Sequence, residues 1–561
     1  MSLMSRLLAR RYKLPRADTY DLVVERDIRV TMDDGSVLLA DRTFPRNSLH
    51  PLPTILIRTP YGRTGMAAQL LGVPLFAERG FNVLIQSCRG TFGSGGSFDP
   101  MRRERDDGRA TIAWMKRQPW FSGAFAMHGV SYVGYVQWAV AQDAGPELKA
   151  LSLGITSSNL PAFFLRNGGL ELEAALHWTK MVTEQARGAN GAWLVIRKLI
   201  DAIANRDPLA RHWMKLPLSA LDRAATGETV SWWQNWLQHS DPATDPYWRG
   251  TDFAGSATHL KVPAYFLAGW YDIFIREQLA DYQALVDAGG EARLTVGPWT
   301  HWWSDDLMAA LHPESIAWMK ERMLGEAPQP RAPVRLYVLG ANEWRETDAW
   351  PPRGTSTERW FLHDDASLSR SPPPESSGGR TYRYDPADPT PAVGGMRFAQ
   401  QDAGLKNNRV LDRRKDVLFY DTTPFERDYE IAGNVVAEVW VRSDRPSIDL
   451  FVRLCDVDSR GRSFNFSDGY RRVVLDTIAR DAGGIARVTV ELTPTAARFC
   501  KGHRLRVMIA SGAHPQFARN LGTREPFDEA TLQEVATNSI FSEPAHPSAI
   551  VVPAWPSTPG R

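Results

Sequence analysis

Between residues 50 and 155 the apolar positions fall in short unbroken runs with mixed stretches between them. Thr54-Ile55-Leu56-Ile57 and Phe81-Asn82-Val83-Leu84-Ile85 are rich in β-branched residues, and each runs into a Gly- or Pro-containing turn. That is the pattern of strands buried on both faces of a parallel sheet. From Asp107 to Lys116, the apolar residues Ala110, Ile112, Ala113 and Trp114 fit a helix. Strand followed by helix, repeated, predicts a parallel sheet covered by helices. From 157 to 255 the pattern is helical throughout. Leu172, Ala175, Leu176, Thr179 and Met181/Val182 recur at helical spacing, and further helix-like segments follow at Ala192–Ile203 and Val230–Leu237. Val262–Ala268 and Arg293–Gly297 then restore the alternation. The economical reading is one α/β domain (1–156 and 256–330) interrupted by a helical insertion (157–255), a common place for a lid.

Beyond residue 330 the period changes to two. Val435, Ala437, Val439 and Val441 alternate with Val436, Glu438, Trp440 and Arg442, and the same rhythm recurs over 448–455, 488–492 and 505–509. Strands with little helix between them predict an antiparallel sandwich over 331–561. Ser371–Gly395, rich in Pro, Gly and Ser, reads as a long surface loop of that domain.

Composition narrows the classes. The chain has 561 residues, 43% hydrophobic and 23% charged, with a net charge of +2. A wholly disordered chain is excluded, and no global field favours nucleic acid or an anionic membrane. No run of about 18 apolar residues occurs, so no membrane helix is expected. Leu7-Leu8-Ala9 falls far short of a signal-peptide core, and Arg6, Arg10 and Arg11 read as a frayed, solvated tail. Cys88, Cys455 and Cys500 lie too far apart for a zinc knuckle or a CxxC pair. A reducing, cytoplasmic location is the simpler expectation. Twenty tryptophans, many within 178–303, suggest either an aromatic-lined cavity or an aromatic-rich helical core.

The sharpest chemical signal is Met127-His128-Gly129-Val130-Ser131-Tyr132-Val133-Gly134. A glycine two before a serine and another three after it allow a tight strand-to-helix turn that pushes the hydroxyl outward. The second glycine comes one position later than in GxSxG, so the run alone also suits a structural turn serine. A serine hydroxyl needs a base to become a nucleophile, and the base needs a carboxylate to orient it. Asp272 ends the strand-like Leu267–Asp272, and His301 follows Val296–Thr300. This is the order Ser, acid, His of α/β-hydrolases. Asp272 equally suits a helix N-cap. His259 and His312 are weaker rivals, and His128 stands too close in sequence to Ser131.

Arg58-Thr59-Pro60-Tyr61, Arg89-Gly90-Thr91 with Ser94-Gly95-Gly96, Gly129-Val130-Ser131-Tyr132, Gly269-Trp270-Tyr271-Asp272 and Gly297-Pro298-Trp299-Thr300-His301 together resemble the cocaine-esterase-like serine hydrolases. Those are relatives of the X-Pro dipeptidyl-peptidases, and the resemblance spans nearly the whole chain. It implies an α/β-hydrolase domain, an inserted helical cap and a C-terminal antiparallel β jelly-roll. It also implies a triad of Ser131, Asp272 and His301, and an oxyanion hole of the Tyr61 hydroxyl and the Tyr132 amide. Trp178 and Phe274 are placed at the substrate pocket by the same likeness. The family usually carries an acidic residue where Ser87 stands, and Cys88 beside it reads as a buried structural thiol. The implied activity is hydrolysis of a small-molecule ester through an acyl-enzyme, with no metal or organic cofactor. The same triad would serve an X-Pro dipeptidyl-peptidase or an N-acyl amidase. A peptidase would need carboxylates for the substrate ammonium, for which Asp305 and Asp306 are candidates. A non-catalytic binding protein is the reading from another class, and homo-oligomerisation stays open.

Overall fold

The computed structural model describes residues 2–186, 207–302 and 304–556. A ten-stranded sheet organises the first half. Its strands are β1 (Leu22–Thr31), β2 (Val37–Pro45), β3 (Thr54–Thr59), β4 (Asn82–Ser87), β5 (Phe125–Val130), β6 (Leu148–Gly154), β7 (Ala264–Tyr271), β8 (Ala292–Thr300), β9 (Val334–Val338) and β10 (Glu343–Thr347). The spatial order is β1-β2-β4-β3-β5-β6-β7-β8-β9-β10. The run from β4 to β9 is parallel, and antiparallel pairs close both edges. Every residue of β3, β4 and β5 is buried, as continuous apolar runs require when helices cover both faces. The sheet continues past residue 330 through β9 and β10, which lie where the sequence switches to period two.

The helical insertion follows the sequence pattern. Helices cover Leu160–Phe164, Leu172–Ala186, Leu221–Thr226 and Ser231–Gln238, and no strand occurs among its described residues. The helix expected at Ala192–Ile203 lies outside the described residues.

The C-terminal half is a two-sheet antiparallel sandwich. One sheet runs Leu368–Ser369, Ser356–Leu362, Ala549–Trp555, Val436–Ser443, Ala536–Glu543, Gly379–Tyr384, with further strands off its edges. The other runs Val417–Asp421, Arg504–Ala510, Ser447–Val457, Ser463–Val474. Here one expectation is corrected. Ser371–Gly395 is not loop throughout, because Gly379–Tyr384 pairs along Ala536–Glu543. Tyr382 and Tyr384 point inward while their neighbours face out, and this short alternation is hidden among flanking Pro, Gly and Ser.

The N-terminal arginines are likewise not a frayed tail. They belong to a docked helix, Ser2–Arg11. Buried Ser5 donates to Glu78 (2.5 Å), and Arg11 pairs with Asp305 (2.6 Å), which also accepts from Tyr12 (3.2 Å).

Candidate active site

Ser131 sits between the end of β5 and the helix Tyr132–Ala141, at φ 56° and ψ −130°. A non-glycine residue rarely occupies this region, and the strain persists only where its surroundings enforce it. Two glycines make that possible. A Cβ at Gly129 would lie 2.2 Å from the Val133 side chain, and one at Gly134 would lie 2.5 Å from Thr156. The late glycine is thus explained: residue 133 packs back on Gly129, and residue 134 is where the helix meets the segment after β6. Thr156 Oγ1 then donates to the Ser131 carbonyl (2.6 Å).

The candidate acid and base, Asp272 and His301, come from the ends of β7 and β8. These strands fall out of register between Gly269 and Tyr271. A Cβ at Gly269 would meet the Trp299 carbonyl at 2.4 Å, and one at Gly297 would meet the Trp299 ring at 2.6 Å. The two glycines therefore let the bulge form, and the bulge aims both strand ends at Ser131. His301 Nε2 lies 2.9 Å from Ser131 Oγ, and His301 Nδ1 lies 2.7 Å from Asp272 Oδ2. Asp272 is fully buried. Its other oxygen accepts from the Phe274 amide (2.8 Å), so it caps the following turn as well as orienting the imidazole.

Tyr61 stands beside the serine, and Trp178 Nε1 donates to its oxygen (3.0 Å). Burial pushes the Tyr61 phenol up to about 12, so it keeps its proton at neutral pH. The Tyr132 phenol is held elsewhere. It donates to Glu104 (2.9 Å) and accepts from the Met101 amide (2.8 Å). Glu104 in turn pairs with fully buried Arg58 (3.0 Å). Only the Tyr132 main-chain N–H is left for the site; it belongs to the first turn of its helix, where amides lack an intrahelical partner. Arg58 thus serves as an anchor under Tyr132.

The site opens into a pocket enclosing about 350 Å³ of empty space, mouth included. Both Trp178 and Phe274 line it. Phe274 stands edge-on to the His301 ring at 5.1 Å, and Trp178 stacks on Tyr132 at 5.9 Å. Sequence reasoning missed Met101, Leu160, Phe164, Ala174, Ile273 and Phe398 in the lining. Phe398 comes from the sandwich half, its ring 5.8 Å from His301. A buried Arg397–Glu173 ion pair fastens it to the cap, and Glu173 also accepts from the Phe398 amide (3.1 Å). No local pattern marks residue 398, which reaches the pocket through a long-range contact.

Other candidates lie elsewhere. Asp305 and Asp306 are exposed, and Asp305 is engaged by Arg11 and Tyr12, so neither belongs to the pocket lining. His259 is exposed and His312 is buried beside Tyr12. Burial and the nearby Glu104 carboxylate hold the Cys88 thiol well above its ordinary range, which leaves it protonated. Ser87 is buried and accepts from Arg63 (3.1 Å).

Known proteins match nearly the whole chain. Residues 34–303 match the X-Pro dipeptidyl-peptidase (S15 family) model, and residues 327–551 match that of the X-Pro dipeptidyl-peptidase C-terminal non-catalytic domain. The cocaine esterase of Rhodococcus sp. (strain MB1 Bresler) is 30% identical over 586 aligned positions, covering 94% of this chain and 98% of that one. An α-amino acid ester hydrolase superimposes with a TM-score of 0.79 at 21% identity, covering 97% of this chain and 98% of the other. An aminopeptidase from a marine sediment Thaumarchaeota archaeon superimposes with a TM-score of 0.78 at 19% identity, covering 96% and 97%. No helix among the described residues is long and apolar enough to cross a membrane. The chain belongs to the X-Pro dipeptidyl-peptidase (S15) and cocaine-esterase family of serine hydrolases, and is an enzyme that hydrolyses bonds of the ester or peptide type.

Proposed function

We propose that this enzyme is a carboxylesterase acting on small esters with a compact apolar acyl group, through an acyl-enzyme on Ser131. The observation that carries this reading is the continuous hydrogen-bond chain Ser131 Oγ, His301 Nε2, His301 Nδ1, Asp272 Oδ2 at the base of an apolar pocket. His301 takes the hydroxyl proton as Ser131 attacks the carbonyl carbon, and Asp272 holds the tautomer that keeps Nε2 free to accept. Charge then grows on the substrate oxygen. The Tyr61 hydroxyl, already oriented by Trp178, and the Tyr132 amide donate to it. Such donors stabilise the tetrahedral intermediate more than the ground-state carbonyl. The proton on His301 passes to the departing alkoxide. A water molecule, deprotonated by the same imidazole, then attacks the acyl carbon, releasing the carboxylic acid and restoring Ser131.

Ester is favoured over X-Pro peptide because the described pocket lining holds no carboxylate to pair a substrate ammonium. A fluorophosphonate probe is expected to modify Ser131, with labelling lost in Ser131→Ala. p-Nitrophenyl butyrate is expected to turn over far faster than an X-Pro p-nitroanilide. Modification at another serine, or faster anilide cleavage, would overturn the reading.

A further inference from the structure

A second cavity, larger than the catalytic one, lies where the cap meets the sandwich. It encloses about 1010 Å³ of empty space, mouth included. Leu165, Leu172, Trp213, Leu218, Leu521 and Phe527 supply much of its apolar lining. Its charged residues are unevenly satisfied. Arg472 is held by both oxygens of Asp449 (2.7 and 2.8 Å). Glu525 spends one oxygen on the amides of Thr531 and Leu532 (2.9 and 2.8 Å).

Arg519 is different. It is only 8% exposed, yet its guanidinium donates only to neutral acceptors: the carbonyls of Pro386 (2.8 Å) and Met214 (2.9 Å) and the Gln533 amide oxygen (3.2 Å). No ion pair to it occurs among the described residues. A buried cation without a counter-charge is costly, and the cost falls when an anion enters. Lys215, exposed at the same cavity, adds a second positive charge that forms no ion pair among the described residues.

We propose that this seam cavity is a binding site for an organic carboxylate with an apolar body, separate from the pocket of Ser131. The carboxylate sits toward Arg519 and Lys215, and the hydrocarbon part lies against Leu165, Leu172 and Trp213. A largely apolar chamber whose two cations, Arg519 and Lys215, outweigh the single carboxylate of Glu525 distinguishes this chemistry from that of a neutral ester or an amine.

The test is calorimetric titration of the full chain with octanoate, octanol and octylammonium. Octanoate is expected to bind saturably, one per chain, equally well to wild-type and Ser131→Ala protein. Octanol and octylammonium should bind about ten-fold more weakly or worse. Lys215→Glu, a surface change that leaves the fold intact, should weaken octanoate about ten-fold, and Arg519→Gln should do so at least equally. Arg519 also ties three segments together, so the Lys215 variant carries the test if Arg519→Gln does not fold. Absence of saturable octanoate binding, equal affinity for octanol, or unchanged affinity in Lys215→Glu would overturn the proposal. Loss of binding in Ser131→Ala would also overturn it, by assigning the ligand to the catalytic pocket.

Discussion

The sheet carries two histidine–serine contacts only a few residues apart, with different surroundings. His301 meets Ser131 at 2.9 Å, and His128, three residues before Ser131, meets Ser152 at 3.0 Å. The His128 ring is buried against Phe76 and His312. Desolvation, with a smaller push from His312, lowers it to about 3. Its serine partner sits inside β6 and hydrogen-bonds onward to Ser315 (2.9 Å). Among the described residues, no carboxylate hydrogen-bonds to that ring, and its other nitrogen has no partner. His301 instead has Asp272 behind it and a hydroxyl displayed on a strained turn at a pocket that Tyr61 and Tyr132 also line. A base touching a hydroxyl is therefore not a catalytic unit. In the proposed triad the carboxylate, the turn and the cavity are what set it apart.

The contrast can be broken most severely at Asp272. Asp272→Asn should lower kcat by about 10⁴-fold while leaving the fold intact, because the amide can hold the imidazole in the wrong tautomer. Steady-state kinetics with a p-nitrophenyl ester would measure it. Tyr61→Phe should cost about 10²–10³-fold in kcat with little change in KM, since in the proposed oxyanion hole its hydroxyl meets the oxyanion only at the transition state. An unchanged kcat would remove Tyr61 from the oxyanion hole. Ser152→Ala should keep kcat/KM within about two-fold yet cost about 1–3 kcal/mol of stability by leaving His128 without its partner. Urea denaturation and kinetics on one preparation would separate the two contacts.

The mildest probe is pH. His128 is held neutral in the fold, down to about 3, against 6.5 for a free imidazole. As pH falls below 6.5 the unfolded chain binds a proton that the native chain refuses, so stability is lost on acidification. His312, lowered to about 4, adds to the same loss. His128→Gln removes one of these groups and should reduce the stability lost between pH 7 and pH 5 by about 2 kcal/mol. An equal loss in variant and wild type, read from urea midpoints, would contradict the buried neutral assignment.

Much of this was legible beforehand, for identifiable reasons. Strands β3, β4, β7 and β8 announce themselves because a strand covered on both faces must be apolar without a break. Gly129 and Gly134 mark the turn because no side chain fits at either position. Gly269 and Gly297 stood out only as parts of the family motifs, and the bulge they allow shows in the structure alone. Other features were hidden. The strand Gly379–Tyr384 lies in a stretch whose composition speaks for loop, and it is held by pairing with residues some 160 positions away. The docking of Ser2–Arg11 depends on Glu78 and Asp305, which no local pattern connects to it.

By itself the sequence determined the layered architecture, an α/β half with inserted helices followed by an all-β half, though not where one gives way to the other, and the candidate nucleophile, acid and base. These are properties of periodicity and of residues whose size the backbone cannot tolerate changing, and both are local. Only the tertiary structure decided which aromatic rings close the pocket and that Asp305 stands away from it. It also decided that Phe398 crosses from the sandwich to His301 and that Arg519 is buried without a counter-charge. Those outcomes depend on which distant surfaces come together. A contact between segments hundreds of residues apart leaves no periodicity in either one.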